Sequence, residues 1–339
     1  MSQKPLGSSG IRDGDKEAQK RAQDLLRKGS LVGIPTETVY GLAADACNGQ
    51  AVARIFEVKG RPQFNPLICH VDGLELAQKL GVFDERAMAL AKKFWPGSLS
   101  IVVPKTADCP VSDLVSAGLD TIAIRCPNSA FTRDLIASMG MPLAAPSANP
   151  SGKLSPTVAS AVRDAFSTDQ VPLVVDMGPC KMGLESTIVY CVEGQPVTIL
   201  RHGAVLMEDL EAVLGENTVR KHQPDINDEN APRAPGMLAS HYAPDSKLVL
   251  WDEDQPQAQE TDTVLTFAAQ PVTGMERALN TLDLSLTGDM AEAAANLFSM
   301  LRQLDELQPK RIIVVPPPAH GLGVAIVDRL RRAAAPRNT

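Results

Sequence analysis

The chain has few aromatic residues and no excess of basic ones. Phe, Trp and Tyr make up 4% of the 339 residues, so the core must be built mainly from aliphatic side chains. Asp and Glu outnumber Lys and Arg by 40 to 33, which gives a formal net charge of -7. Because sequence-independent nucleic-acid binding needs a basic surface, we expect no tight direct contact with nucleic acid, although a local basic pocket stays compatible with this balance.

Other familiar features are also missing. No apolar run approaches the length needed to cross a bilayer, and we expect no membrane association. The cysteines form no C-x-x-C pair, and several lie inside apolar runs, which is typical of small buried side chains in a reducing compartment. The sequence therefore predicts a soluble, cytoplasmic protein without a disulfide or zinc framework. The six cysteines are Cys47, Cys69, Cys109, Cys126, Cys180 and Cys191.

Common catalytic signatures are absent as well. There is no G-x-x-x-x-G-K-[ST] and no H-E-x-x-H, and Gly321-Leu322-Gly323 lacks the third glycine of a dinucleotide fingerprint. The five histidines show no mutual spacing that would select a Ser-His-Asp set or a metal site. His70 is the one histidine that stands out, because it lies on a predicted apolar strand just after the Asn65-Pro66 turn.

Length and patterning predict two α/β domains, because single cores tend to stop growing near about 250 residues. Strands and helices mix without strict alternation over residues 12–216, which favours an open, twisted mixed sheet. Residues 217–245 are rich in Pro, Asn and charge and predict a linker, and residues 246–335 predict a second, smaller α/β domain. Residues up to about 13 are expected to form a frayed tail, and residues 286–307 one long helix.

Residues 142–157 begin as an apolar run and continue with prolines, small hydroxyls and one lysine. Proline removes backbone donors and fixes φ, so the segment predicts a short buried strand that ends in a stiff polar loop. Binding groups usually lie on such loops. The hydroxyls and amides could cradle an anion such as phosphate, with Lys153 nearby, and a plain connection without a ligand is the alternative.

Basic side chains occur where predicted elements end. Lys59 and Arg61 flank Gly60 at a helix terminus, where a cation can simply complement the helix dipole. Arg125 and Arg201 each end an apolar strand, where a charge is costly unless it meets an anion. Four such cations suit a polyanion such as a nucleoside triphosphate, and the chemistry would then be positioning and charge stabilisation. Hydroxyl residues at the same ends are Thr36, Ser147, Ser155, Ser186 and Thr187.

Four motifs in a fixed order give the chain a family resemblance. They are PTETVYGL at residues 35–42, KGRP with NPL at residues 59–67, APSAN with SG at residues 145–152, and ESTIV at residues 185–189. Together they resemble the YrdC-like family over roughly residues 15–205. The segments PGM at residues 235–237 and SHYAP at residues 240–244, with the extra domain, resemble the long two-domain form of that family.

The resemblance implies a fold and a reaction. The fold would be an open twisted mixed sheet of YrdC-like type with a concave positive face, a Rossmann-like C-terminal domain, and a linker that crosses the mouth of the site. The reaction would be nucleotidyl transfer, in which L-threonine, bicarbonate (or carbon dioxide) and ATP give L-threonylcarbamoyl-AMP and pyrophosphate. Mg²⁺ would be bound through the ATP phosphates. Downstream tRNA threonylcarbamoyl-transferase proteins would then modify an adenosine of certain tRNAs.

Matched motif by motif, the resemblance also implies residue roles. Lys59 and Arg61 would be catalytic, because they can neutralise charge at the α-phosphorus as a carbamate oxygen attacks. Arg125 would grip the amino-acid carboxylate with its fork of donors. The residues implied for L-threonine are Thr36, His70, Arg125, Ala145 and Ser186. Those implied for the nucleotide are Lys59, Arg61, Asn65, Thr121, Ser147, Ser155 and Arg201, with His241 and Tyr242 closing over it from the linker.

Two other interpretations remain open on the sequence. One is an RNA-binding or ribosome-maturation module without catalysis, whose affinity for RNA would fall steeply with salt and need no ATP. The other is a carbamoyl-phosphate-dependent enzyme of hydrogenase maturation, which needs acylphosphatase and zinc-finger segments. The lack of C-x-x-C pairs disfavours the second. The favoured enzyme instead predicts pyrophosphate release that requires threonine and bicarbonate together.

Overall fold

We describe a computed structural model of the chain over residues 10–222, 234–235, 241–252 and 257–336. Its larger part is one eleven-stranded mixed sheet in the order β1-β8-β2-β3-β7-β4-β6-β5-β9-β10-β11. The strands are β1 Ile11–Asp13, β2 Val32–Ile34, β3 Gly41–Asp45, β4 Ile68–His70, β5 Leu99–Pro104, β6 Thr121–Arg125, β7 Leu143–Ala144, β8 Leu173–Asp176, β9 Thr187–Tyr190, β10 Val197–Arg201 and β11 Val219–Lys221. The helices are α1 Lys16–Arg27, α2 Gly49–Lys59, α3 Leu74–Leu80, α4 Glu85–Phe94, α5 Asp113–Ser116, α6 Ala130–Met139, α7 Ala159–Ala165 and α8 Met207–Leu214.

The second part is a four-stranded sheet in the order β12-β15-β13-β14, in which every pairing is parallel. Its strands are β12 Lys247–Leu250, β13 Asp262–Thr266, β14 Asn280–Asp283 and β15 Arg311–Val314, and its helices are α9 Met290–Asp305 and α10 Leu322–Ala334, with a 3₁₀ turn at Met275–Arg277. The predicted fold class, a mixed sheet with a second smaller α/β unit, is confirmed. Within the described residues, no helix is long and apolar enough to span a bilayer.

Register in the large sheet brings polar strand ends together. Strands β4 and β6 are parallel, with His70 opposite Arg125. Strands β9 and β10 are antiparallel, with Ile188 opposite Arg201 and a bulge just before it. Because side chains alternate along a strand, one face of these strands packs under helices while the other carries these polar groups. The site is therefore built on a rigid sheet.

The two parts share an apolar core. Val39, Leu154 and Leu184 of the larger part belong to the same buried cluster as the side chains of α9 and α10. Gly183 adopts φ +68°, and a Cβ at this position would lie 2.4 Å from the carbonyl oxygen of Ala294 in α9. Only glycine fits such a close approach without displacing the helix backbone. The C-terminal unit is thus packed tightly against the loops that border the site.

The structure corrects four local expectations. Ile11–Asp13 is a strand paired with β8 and not part of a frayed tail. Gly41–Asp45 forms β3, which its Ala- and Gly-rich sequence did not predict, because pairing with both neighbours outweighs low strand propensity. The long helix begins at Met290 and not near residue 286, since Asp289 caps it. Strand β11 extends the sheet into the segment predicted as linker.

Candidate active site

A cavity of about 540 Å³, counting its open mouth, lies on the polar face of the central strands. The sheet provides its floor and one wall, and Pro235, His241 and Tyr242 from the segments before β12 form the opposite wall. Its lining contains three arginines and two histidines among small hydroxyl and apolar groups. The lining residues are Thr36, Thr38, Val39, Gly41, Arg61, Ile68, His70, Arg125, Ala145, Pro146, Ser147, Glu185, Ser186, Arg201, Pro235, His241 and Tyr242.

Within the described residues, two of the arginines, Arg61 and Arg201, form hydrogen bonds only to neutral acceptors. Arg61 donates to the Asn65 side-chain oxygen at 2.7 Å and to the carbonyl oxygens of Asn65 and Pro66. Arg201 donates to the Ser186 carbonyl and hydroxyl oxygens at 3.0 and 3.1 Å, and to the Pro235 carbonyl. Burial, together with the charge of Arg201, lowers the pKa of Arg61 to about 9. These guanidinium groups are held in place, and within the described residues neither forms a hydrogen bond or ion pair with a carboxylate, although the charge of Glu185 is felt at Arg201.

Arg125 is held differently. It donates to Glu37 Oε1 at 2.7 Å, to Thr38 Oγ1 at 2.9 Å and to the Gly97 carbonyl at 3.1 Å. The Thr36 hydroxyl donates to the Val39 carbonyl, so the Thr38 hydroxyl must donate to Thr36 in the bond that joins them. A guanidinium has five N–H groups, so two of those on Arg125 are left for a ligand.

His70 is opposite Arg125 and is neutral. Burial, followed by the charge of Arg125, lowers the pKa of His70 to about 3. Its Nδ1 lies 3.2 Å from the Ile68 carbonyl oxygen. Because a carbonyl can only accept, Nδ1 carries the proton and Nε2 keeps a lone pair. His70 can therefore accept a hydrogen bond from an amine or hydroxyl in the cavity.

Lys59 lies behind the cavity wall and is not part of its lining. It is the last residue of α2, which ends at Gly60 with φ +59°. Its ammonium donates to the Ser147 carbonyl at 2.6 Å and to the Asn149 carbonyl. Burial and the neighbouring Arg61 charge lower the pKa of Lys59 well below its usual value. Lys59 thus ties α2 to the loop that carries Ser147, one peptide away from the cavity.

The wall formed by His241 and Tyr242 contains buried polar atoms without a partner. Tyr242 is 1% exposed and adopts φ +62°, a conformation that costs energy for a residue with a Cβ and is found at ligand clamps. Among the described residues, neither the Tyr242 hydroxyl nor His241 Nδ1 has a hydrogen-bond partner, and the same holds for Asn65 Nδ2 beside Arg61. Such orphan groups are costly unless a ligand or water meets them.

Glu185 links this wall to the C-terminal unit. Its Oε2 accepts from Arg329 Nε at 3.0 Å, and its Oε1 accepts from the Ser155 hydroxyl at 2.5 Å. The structure therefore pairs each of the two carboxylates at the site with an arginine, Glu37 with Arg125 and Glu185 with Arg329. Among the described residues, Lys59, Arg61 and Arg201 have no carboxylate partner.

Most of the fourteen predicted site residues line the cavity. Ten of the predicted residues line it: Thr36, Arg61, His70, Arg125, Ala145, Ser147, Ser186, Arg201, His241 and Tyr242. Four do not line it. Lys59 stands behind Ser147, Asn65 stands behind Arg61, and Ser155 is bonded to Glu185. Thr121 lies on the same face of β6 as Arg125 but at the opposite end of the strand. Their binding roles stay predictions. Lys153, expected near the anion, instead pairs with Asp245 away from the cavity.

Sequence reasoning missed several residues that hold the site. Glu37 and Thr38 fall inside the quoted PTETVYGL motif, and Glu185 begins the ESTIV motif, so a signal was present although no role was given to them. Arg329 gave no signal, because it is 144 positions from Glu185 on an ordinary amphipathic helix. Within the described residues, no group of three or more His, Cys, Asp or Glu side chains could hold a metal ion.

Comparisons with known proteins agree with this geometry. The family profile described as "Telomere recombination" matches residues 24–203, and the profile described as "Threonylcarbamoyl-AMP synthase, C-terminal domain" matches residues 205–335. The chain is 39% identical to threonylcarbamoyl-AMP synthase of Bacillus subtilis (strain 168), covering 94% of this chain and 93% of that protein. It is 38% identical to the protein of the same name from Pyrococcus abyssi, covering 93% and 94%.

A solved structure extends the likeness to three dimensions. The crystal structure of Pyrococcus abyssi Sua5 complexed with L-threonine superposes with a TM-score of 0.84 at 33% identity and covers 96% of each chain. The likeness in three dimensions therefore extends over both sheets. On the evidence of the two matching profiles and of relatives above 30% identity along nearly the full length, the chain belongs to the threonylcarbamoyl-AMP synthase family, in its long, two-domain YrdC-like form.

Proposed function

We propose that this chain makes L-threonylcarbamoyl-AMP and pyrophosphate from L-threonine, bicarbonate and ATP. The observation that carries the proposal is a set of three buried cations without a carboxylate partner among the described residues: Arg61 and Arg201 line one cavity, and Lys59 lies directly behind its wall. Buried charge without a partner is costly, so the arrangement favours a polyanionic ligand that neutralises it. A triphosphate supplies that charge.

The cavity has two chemically different ends. At one end Arg125, with two free N–H groups, can bind the threonine carboxylate, and neutral His70 can accept from its amine or hydroxyl. Thr36, Ala145 and Ser186 complete this end. At the other end Arg61 and Arg201 face the phosphates, and Asn65, His241 and Tyr242 offer polar atoms that have no hydrogen-bond partner in the described part of the chain.

The reaction then follows from position and charge. The threonine nitrogen and bicarbonate form a carbamate with loss of water, and one carbamate oxygen attacks the α-phosphorus of ATP. The bond from the α-phosphorus to the bridging oxygen breaks, and its electron pair leaves with pyrophosphate. Arg61 and Arg201 stabilise the charge that grows on the phosphate oxygens, a contribution worth about 10²- to 10³-fold in rate per donor. Lys59 supports this end through the carbonyl of Ser147.

We propose that Mg²⁺ enters with ATP on its phosphates. The donor set fits this, because the two carboxylates at the site are both engaged by arginines and no cluster of ligands is found among the described residues. Mg²⁺ commonly binds through substrate phosphates and water. We also propose that the product is passed to tRNA threonylcarbamoyl-transferase proteins, which matches an acidic chain that need not grip RNA.

The RNA-binding alternative is disfavoured by burial. Arg61 and Arg201 are 8% and 7% exposed and lie beneath Pro235 and Tyr242. A side chain so enclosed cannot reach the backbone of a folded RNA, whereas a small anion can enter. The predicted cytoplasmic location stays a prediction.

The test is to incubate the full chain with ATP, L-threonine and bicarbonate and to look for the mixed anhydride by mass spectrometry. We expect L-threonylcarbamoyl-AMP and one equivalent of pyrophosphate, both lost when either threonine or bicarbonate is left out. Pyrophosphate release that does not depend on threonine, or salt-sensitive RNA binding without any turnover, would contradict the proposal.

A further inference from the structure

The C-terminal unit places one guanidinium against the back of the cavity. Arg329 of α10 is 1% exposed, and its Nε donates to Glu185 Oε2 at 3.0 Å. Its guanidinium carbon lies 5.1 Å from the ring centroid of Tyr242, within the range of a cation–π contact. Both Glu185 and Tyr242 line the cavity. Within the described chain, Arg329 is thus in contact with one lining group from each side of the site.

Both contacts restrain groups that would otherwise be free to move. Glu185 holds the Ser155 hydroxyl with its second oxygen, so the position of the carboxylate sets the position of the serine. Tyr242 stands in a left-handed backbone conformation, its hydroxyl has no hydrogen-bond partner among the described residues, and its ring is bounded by Phe298 at 5.7 Å and by Arg329. A strained residue keeps its place only where its surroundings hold it.

We infer that Arg329 is a positioning residue for the reaction, which holds the Tyr242 ring and the Glu185–Ser155 pair in the geometry that the nucleotide end of the cavity requires. The inference rests on the proposed function. It gives the C-terminal unit a role in the chemistry, although that unit lends no other charged side chain to the described cavity wall.

The guanidinium suits this task better than an ammonium would. Its planar fork can bond to the carboxylate at its edge and at the same time lie near an aromatic ring. Lysine would keep the charge opposite Glu185 and lose the geometry. The variant Arg329→Lys therefore distinguishes two roles of Arg329: a charge that only balances Glu185, and a guanidinium that positions its neighbours.

The experiment compares kcat and KM for ATP in five variants of the full chain. Arg329→Met/Glu185→Gln removes both charges of the buried pair, which avoids leaving Glu185 as an unpaired carboxylate. Asp328, which also accepts from Arg329 at 2.9 Å, keeps its bond to Arg332. Arg331→Met, an exposed arginine on the same helix, is the matched control. We expect the double variant to lose at least tenfold in kcat/KM for ATP with its Tm within a few degrees of wild type, and Arg331→Met to stay within twofold. Arg329→Lys should keep the Tm and still lose at least fivefold.

The coupling to Tyr242 is measured in the background Tyr242→Leu. If Arg329 acts through the ring, Arg329→Lys should change kcat/KM less than twofold once the ring is gone. A wild-type kcat/KM in Arg329→Lys would overturn the inference, and this variant decides even if the double variant fails to fold. If the losses of Arg329→Lys and Tyr242→Leu simply multiply, the ring is overturned as a route by which Arg329 acts. Failure of the proposed function would look different, because wild type and Arg331→Met would then form no product.

Discussion

The buried arginines of this site fall into two kinds. Arg125 and Arg329 each bond to a buried carboxylate, Glu37 or Glu185. Among the described residues, Arg61 forms hydrogen bonds only to amide and carbonyl oxygens, and Arg201 only to carbonyl and hydroxyl oxygens. The charge of a paired arginine is balanced by a carboxylate before any substrate binds, whereas the charge of an unpaired arginine is not.

The difference indicates where binding energy is stored. A paired arginine can orient a ligand, but its charge already has a partner, which suits a zwitterion such as an amino acid. An unpaired buried cation raises the energy of the empty protein, and that cost is relieved when an anion binds. The two kinds therefore mark the threonine end and the phosphate end of one cavity.

The largest effect is expected from removing an unpaired cation. Arg61→Met should lower kcat/KM for ATP by about 10²- to 10³-fold, because it removes a donor aimed at developing phosphate charge. Its Tm should be equal to that of wild type or higher, since an uncompensated buried charge is replaced by an apolar chain of similar length. Steady-state pyrophosphate release measures kcat/KM for ATP, and thermal unfolding measures the Tm. Arg54→Met, an exposed position on α2, should stay within twofold, and a wild-type rate in Arg61→Met would remove Arg61 from the site.

A paired arginine should behave in the opposite way. Arg125→Met removes the arginine partner of the Glu37 carboxylate, which is 10% exposed and keeps its bond from the Asn128 N–H, and should lower the free energy of unfolding by about 3 kcal/mol. Adding Glu37→Gln should recover much of that stability without recovering turnover, because the carboxylate contact to threonine stays lost. Urea unfolding and the KM for L-threonine separate these outcomes. Stability unchanged in Arg125→Met would show that the pair is not a structural one.

The neutral state of His70 predicts how stability depends on pH. Its pKa is about 3 in the folded protein, against 6.5 for a free imidazole. Between these values the unfolded chain binds a proton that the folded chain does not, so stability must fall as pH drops below about 6.5. Between pH 6.5 and pH 5, His70 should lower the free energy of unfolding by about 2 kcal/mol. His70→Gln should remove this part of the dependence of stability on pH. An identical slope in urea unfolding of the variant would contradict the assignment.

The smallest effect is expected at an ion pair outside both kinds. Lys79 and Glu75 bond at 3.2 Å on the surface of α3, with 63% and 91% of their side chains exposed. Glu75→Ala should change the free energy of unfolding by less than about 0.5 kcal/mol and leave turnover untouched. If Glu75→Ala destabilised the protein as much as Arg125→Met, burial would not explain why the Glu37–Arg125 pair contributes more than the Glu75–Lys79 pair.

Local patterning predicted most elements that carry the site. Helix α2 and strands β6 and β10 end close to the predicted positions, so Arg61, Arg125 and Arg201 arrive where apolar runs stop. That convergence could be anticipated because a charge at the end of a buried strand needs an anion. The motif resemblance supplied the other predicted residues that line the cavity, such as Thr36, Ser186 and Tyr242.

Ion pairs between residues far apart in the sequence could not be predicted from local patterns. Nothing local shows that Glu37 bonds to Arg125 or that Glu185 bonds to Arg329, since their separations are 88 and 144 positions. Strand β3 was hidden for a related reason, because its Ala and Gly residues form a strand only between β2 and β7. The sequence thus revealed the unpaired cations and missed the carboxylates that distinguish the others.

The most direct measurement is a crystal structure of the full chain with L-threonine, bicarbonate and a non-hydrolysable ATP analogue. The account predicts phosphate oxygens within about 2.7 to 3.2 Å of guanidinium nitrogens of both Arg61 and Arg201, with the threonine carboxylate on Arg125. Phosphates that contact neither Arg61 nor Arg201, or a triphosphate bound outside this cavity, would contradict it.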